Sequence, residues 1–128
     1  MKPFIIIALA SLFILTGCTQ PMAVQTKQSS NQAHAALAND SSIVLIDVRT
    51  VAEFEEGHIQ GSINVPLDQL SQEITRVVSD KKTTVFLVCR SGNRSAQASD
   101  IMASLGYQSL VDIGSVFTWP DPLVIFNP

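Results

Sequence analysis

With 128 residues, a formal net charge of −3 and 46% hydrophobic residues, the chain has material for one domain with a buried core. It carries no basic run and no interleaving of arginine with aromatic residues, so nucleic-acid binding has no electrostatic footprint. Its two cysteines and two histidines are scattered without ligand spacing, and neither a metal nor an organic cofactor is expected.

Lys2 precedes an apolar run of 12 residues, Phe4 to Leu15, well short of the ~20 that a helix needs to cross a bilayer. Leu15-Thr16-Gly17-Cys18 then resembles the lipobox of bacterial lipoproteins, in which the cysteine takes lipid and becomes the new N-terminus. The resemblance implies a signal peptide over residues 1–17, a lipidated tether over 18–30 and a folded domain over 31–128. An ordinary secretory signal or an uncleaved anchor is the alternative. In a diderm host, Thr19 in place of an inner-membrane aspartate favours the outer membrane, facing the periplasm. Lipid on Cys18 leaves Cys89 unpaired in an exported protein, where free thiols tend to be reactive. A Cys18–Cys89 disulfide would need the tether to reach round to Cys89.

Thr19 to Ser30 is polar and predicts a disordered tether. Asn31 to Ala38 predicts a short helix ended by Asn39-Asp40, with His34 on a solvated or half-buried face. Ile43 to Val48 is the first buried strand, and Thr50-Val51-Ala52-Glu53 fits a capping box that opens a helix closed at Gly57. Ser62 to Val65 predicts a short strand stopped by Pro66. Leu67, Leu70, Ile74, Val77 and Val78 trace one face of an amphipathic helix. Asp80-Lys81-Lys82 turns the chain into Thr84 to Cys89, an unbroken apolar run that reads as a strand buried on both faces. Ala98, Ile101, Met102 and Leu105 repeat at helical spacing before Gly106, and Ser109 to Ile113 is a further strand. Strands alternating with helices predict an α/β fold, a small, mostly parallel sheet with helices on both faces.

Cys89 therefore falls at the carboxyl end of a strand, where open parallel sheets place their ligand sites. Between it and the next helix lies Arg90-Ser91-Gly92-Asn93-Arg94-Ser95. Backbone N–H groups in a tight turn, joined to those of a helix start, make a concavity for an anion. Gly92 lets the chain turn, and Arg90 and Arg94 add positive charge, so the loop favours thiolate over thiol at Cys89. The plain alternative is a buried, inert core cysteine.

Cys89-Arg90-Ser91-Gly92-Asn93-Arg94-Ser95 resembles the active-site loop of the rhodaneses, the thiosulfate sulfurtransferases. The resemblance runs from Ile43 to Trp119 and is strongest to the small single-domain periplasmic members. Its other anchors are Ile46-Asp47-Val48-Arg49, Glu53-Phe54, Gly57-His58-Ile59, Gly61-Ser62-Ile63-Asn64-Val65-Pro66 and Leu105-Gly106-Tyr107. It implies a rhodanese-like fold in which Arg49 bridges Glu53 and Asp47 helps to hold the loops, with Ser95 in support. The bland alternative makes these exposed ion pairs worth under ~1 kcal/mol. The resemblance also makes His58 part of a scaffold turn rather than a catalytic partner. Gly114-Ser115 departs from the family's paired glycines, which leaves the substrate mouth open to question; Trp119 reads as packing, and Leu123 to Phe126 as core cover or pocket rim.

The resemblance implies sulfur transfer through a persulfide on Cys89, from a small anionic donor such as thiosulfate to a thiol or cyanide acceptor. A membrane-tethered persulfide carrier is the alternative of another class. Related phosphatases and arsenate reductases carry a Cys-x5-Arg loop, whereas this one is Cys-x4-Arg, a tighter ring suited to a lone sulfur.

Overall fold

The computed structural model describes Gly17, Thr19 and residues 21–125. The expected signal peptide up to Thr16 and the lipid site Cys18 lie outside the described residues, as does Phe126.

Five strands form one sheet: β1 (Val24–Lys27), β2 (Val44–Asp47), β3 (Ile63–Asn64), β4 (Thr84–Cys89) and β5 (Ser109–Ser115). Their order is β1-β5-β4-β2-β3 and every pairing is parallel, so the expected α/β sheet is present with β4 at its centre. The helices are α1 (Ser30–Asn39), α2 (Val51–Glu56), α3 (Leu70–Val77) and α4 (Asn93–Ser104). Both predicted starts at α1 and α2 are sharply made. Ser29 with Gln32, and Thr50 with Glu53, close reciprocal capping boxes that satisfy backbone donors the helices would otherwise leave open.

The strand β1 corrects the sequence reading, which gave residues 18–30 to a disordered tether. Val24 to Lys27 pair with Ser109 to Asp112 along the sheet edge, extended by Val24 N–H on the Gln108 carbonyl at 2.7 Å. Its side chains all face solvent, so the strand rests on backbone pairing and has no hydrophobic period to betray it.

Side-chain alternation along β4 divides the core in two. Val85, Leu87 and Cys89 face α3 and α4, packing with Ile46, Leu70, Ile74, Ala98, Met102 and Leu110. Phe86 and Val88 face α1, with Ala33, Leu45, Ile59, Val111 and Ile113. Each fully buried Leu or Ile here contributes about 1.5–3 kcal/mol of apolar burial. The alternation also decides the chemistry, because it turns Cys89 towards the start of α4.

Between β4 and β5 the register slips at Leu87/Val88, with Leu87 opposite Asp112 and Val88 opposite Gly114. The extra residue, Ile113, makes a bulge just below the Cys89 loop, a common device for aiming a side chain near a site. Trp119 packs against the α1-side core and meets His34 edge-on at 5.3 Å, while His34 itself is half-buried and bonds Asp121 at 2.7 Å. Leu123 joins the same core, and Ile125 is exposed.

Candidate active site

Cys89 ends β4 and is fully buried beneath its own loop. Its Sγ accepts the Gly92 N–H at 3.0 Å and lies 3.5 Å from the Ser95 hydroxyl. Gly92 is the N-cap of α4 at φ +94°, a left-handed conformation that glycine takes at little cost. A glycine N-cap brings no side chain to occupy the first N–H groups of α4, which have no intrahelical acceptors. The Gly92 N–H is the backbone donor that reaches the sulfur, at the end of α4 where the helix dipole favours negative charge.

Under the loop, a Cβ at Gly92 would stand 3.6 Å from the Gly114 Cα, so the turn sits directly on the β5 bulge. Ser115, which replaces a glycine of the resembling family, donates its hydroxyl to the Arg90 carbonyl and fastens the loop.

The arginines behave differently from the sequence expectation. Arg94 makes a two-pronged ion pair with Glu53, at 2.7 and 2.8 Å. The Arg94 hydrogen bonds hold the Glu53 carboxyl down to about 2, and Glu53 in turn raises Arg94 above its ordinary range. Arg94 is thus a neutralised pair that braces α4 against α2, rather than a free cation at the sulfur. Arg90 is exposed and lies over the Phe117 ring at 5.4 Å. Both line a shallow cavity of about 170 Å³ in front of the loop, with Arg49, Glu53, Glu56, Gly57 and Leu123.

The expected Arg49–Glu53 bridge is not formed, because the i+2 spacing on the extended exit of β2 carries Arg49 back onto Asp47. The Asp47 carboxylate accepts Arg49 Nη2 at 2.7 Å, its Nε at 3.0 Å and its backbone N–H at 3.0 Å. Arg49 Nη2 also donates to the Gly57 carbonyl at 2.8 Å, tying β2 to the end of α2. Both residues are buried, at 0% and 3% exposure, which sets this pair apart from the surface bridges the sequence also allowed. His58 is built into the scaffold as expected: its backbone pairs both ways with Val124, and its ring stacks on Phe54 at 3.8 Å. Ser91 and Asn93 complete the turn, and Asn93 begins α4.

One residue escaped sequence reasoning. Asp112, only 6% exposed, accepts the Ser95 hydroxyl at 2.6 Å and the Gly114 N–H at 3.0 Å. The signal was there: a lone carboxylate among Leu110, Val111 and Ile113 of a buried strand is costly unless it is partnered.

The loop geometry agrees with a match between residues 29–119 and the family model described as Rhodanese-like domain. The chain belongs to the rhodanese-like family. It is 37% identical over 71 residues to the thiosulfate sulfurtransferase PspE of Escherichia coli (strain K12), covering 56% of this chain and 68% of that protein. A putative mitochondrial thiosulfate sulfurtransferase of Schizosaccharomyces pombe is 36% identical over 96 residues, covering 66% of this chain and 68% of its own length. Among solved structures, a rhodanese with anions from E. coli superposes with a TM-score of 0.62 at 33% identity, over 66% of this chain and 99% of that one. These relationships make sulfur transfer the general chemistry of this rhodanese-like domain's relatives.

Proposed function

We propose that this protein is a sulfurtransferase that carries sulfane sulfur as a persulfide on Cys89. The observation that carries the reading is the Cys89 sulfur at the floor of its loop, accepting the Gly92 N–H at 3.0 Å at the start of α4. In the first step the Cys89 thiolate attacks the outer sulfur of thiosulfate. A new S–S bond forms, and the bond to the inner sulfur breaks with its electron pair leaving on sulfite. The outer sulfur, now bound to Sγ, takes the negative charge and is stabilised by the loop N–H groups and the helix start. A thiol or cyanide then attacks that sulfur and returns the thiolate.

Cys89 is the nucleophile, and Arg90, Ser91, Gly92 and Asn93 bind the donor and the persulfide. Arg94 holds the ring through Glu53, while Asp47 and Arg49 fix the corner on which α2 rests. Domain activity is tested by supplying thiosulfate and cyanide, or an aryl phosphate, to the same preparation. The expected result is thiocyanate release with negligible phosphate release, because the six-residue ring from Cys89 to Arg94 is sized for sulfur. Ready hydrolysis of the aryl phosphate without sulfur transfer would reverse the assignment.

We also propose that lipid on Cys18 holds the domain at a membrane, on the outer-membrane side of the periplasm in a diderm host. The Leu15-Thr16-Gly17-Cys18 motif supports this reading. Cys18→Ser should move the protein out of the membrane fraction, or leave unprocessed precursor. An unchanged fractionation and mass would exclude lipidation.

A further inference from the structure

We propose that the cavity framed by α2, the Cys89 loop and the C-terminal segment 119–125 is the site of the sulfur acceptor, and that it selects a small α-amino acid thiol. Arg90 takes the acceptor's carboxylate and Glu56 its ammonium group. The proposal rests on the sulfur-transfer role of Cys89 and names the acceptor for it.

Four charged side chains line this cavity of about 170 Å³. Two are already engaged, Arg49 with Asp47 and Glu53 with Arg94. The other two, Arg90 and Glu56, are exposed and have no ion-pair partner among the described residues, each other included. A cation and an anion thus border one small space without meeting. An anionic donor such as thiosulfate can use Arg90 but gains nothing from Glu56. A ligand that carries both charges satisfies both.

The fold itself has no use for a carboxylate at Glu56. It is the last residue of α2, where the helix dipole disfavours negative charge, and no basic residue stands in that last turn to offset it. A local rule broken without a stabilising partner marks a functional position.

The rest of the wall is apolar. Phe117 is 62% exposed, and its ring lies 5.4 Å from the Arg90 guanidinium, which it holds at the rim of the cavity. Leu123 sits against Gly57, where an added Cβ would stand 3.4 Å from the Leu123 Cβ. Backbone bonds between His58 and Val124, at 2.9 and 2.8 Å, fix that segment. Leu123 lies beyond residues 29–119, the span that matches the family model, so this wall is an addition to the shared fold.

Size and chemistry together set the ligand. A cavity of roughly 150 Å³ takes one benzene, so about 170 Å³ suits an amino acid and is too small for a tripeptide. Phe117 and Leu123 suit its methylene and sulfur. Arg90 directly follows Cys89, and the Ser115 hydroxyl donates to its carbonyl, so a carboxylate held there is kept beside the sulfur loop. The acceptor thiol, its proton lost to solvent, attacks the outer sulfur of the Cys89 persulfide. A new S–S bond forms, the bond to Sγ breaks, and its electron pair stays on Cys89 as the thiolate. The product is the persulfide of the amino acid.

The test follows this second half-reaction alone. The full chain is loaded with sulfur from thiosulfate, freed of donor, and mixed at one pH with subsaturating cysteine, cysteamine, 3-mercaptopropionate or cyanide. Loss of the added sulfur is timed by intact mass. Glu56→Gln should slow removal by cysteine and by cysteamine about fivefold, and leave 3-mercaptopropionate and cyanide as fast as with the parent or faster. Comparing variant with parent for one acceptor cancels that acceptor's own thiol acidity. Arg90→Gln should lower the rate with cysteine relative to cysteamine about fivefold. The denaturation midpoint of Glu56→Gln should be unchanged or raised, as its place at the end of α2 requires. A lowered midpoint, an equal effect on all four acceptors, or an unchanged rate with cysteine would overturn the acceptor site. A parent that takes no sulfur from thiosulfate would instead end the transferase reading, and the acceptor site with it.

Discussion

Cys89→Ala should lower thiosulfate:cyanide transfer by at least about a thousandfold, to the level of the uncatalysed reaction, without unfolding the protein. In the proposed reading Cys18, the second cysteine of the sequence, carries lipid, which leaves Cys89 as the thiol that takes the sulfur. The structural cost is modest. Cys89 contributes one sulfur atom to the core beside Ile46 and Met102, and its loss frees one N–H, that of Gly92. A net hydrogen bond of about 1 kcal/mol and a small void together leave the fold standing. Cys89→Ser separates chemistry from packing still better, since the hydroxyl keeps an acceptor for Gly92 but cannot carry sulfane sulfur. The measurement is thiocyanate formation at matched concentrations of folded protein, judged by an unchanged denaturation midpoint. Residual transfer above about a tenth of the parental rate would mean that another group takes the sulfur.

Asp47→Ala should destabilise the domain by about 3–5 kcal/mol, a large part of the ~5–15 kcal/mol available to a domain of this kind. Asp47 and Arg49 are both buried, and the carboxylate answers three separate donors of Arg49. Without it the guanidinium keeps only the Gly57 carbonyl and stays charged in a dry corner. That uncompensated charge, rather than the lost attraction, is the main cost. Asp47→Asn, which retains an oxygen and loses the charge, should fall between the two. Urea denaturation of the three proteins decides the matter. A cost under about 1 kcal/mol for Asp47→Ala would place the pair with exposed salt bridges.

The elements that carry the chemistry were the most legible. Val85 to Cys89 is an apolar run with no polar interruption, Gly92 marks the turn, and Ala98, Met102 and their neighbours repeat at helical spacing. Each signal is local, and the structure joins them as the residues suggest. What sequence could not choose was partnership across the fold. Glu53 has Arg49 four residues before it and Arg94 forty-one residues after it, and chain distance favours the wrong one. The i+2 geometry that sends Arg49 to Asp47 depends on how the chain leaves β2. The partner of Asp112 was hidden for the same reason, since Ser95 belongs to another element. Strand β1 was hidden for the opposite reason: its side chains bury nothing, and only its backbone is in the sheet.

The central claim is that Cys89 stores sulfur, and intact-protein mass measurement after incubation with thiosulfate tests it most directly. The expected result is a gain of one sulfur atom, mapped by fragmentation to Cys89, removed by cyanide and absent in Cys89→Ala. No added sulfur on the folded protein, or added sulfur that persists in Cys89→Ala, would contradict it.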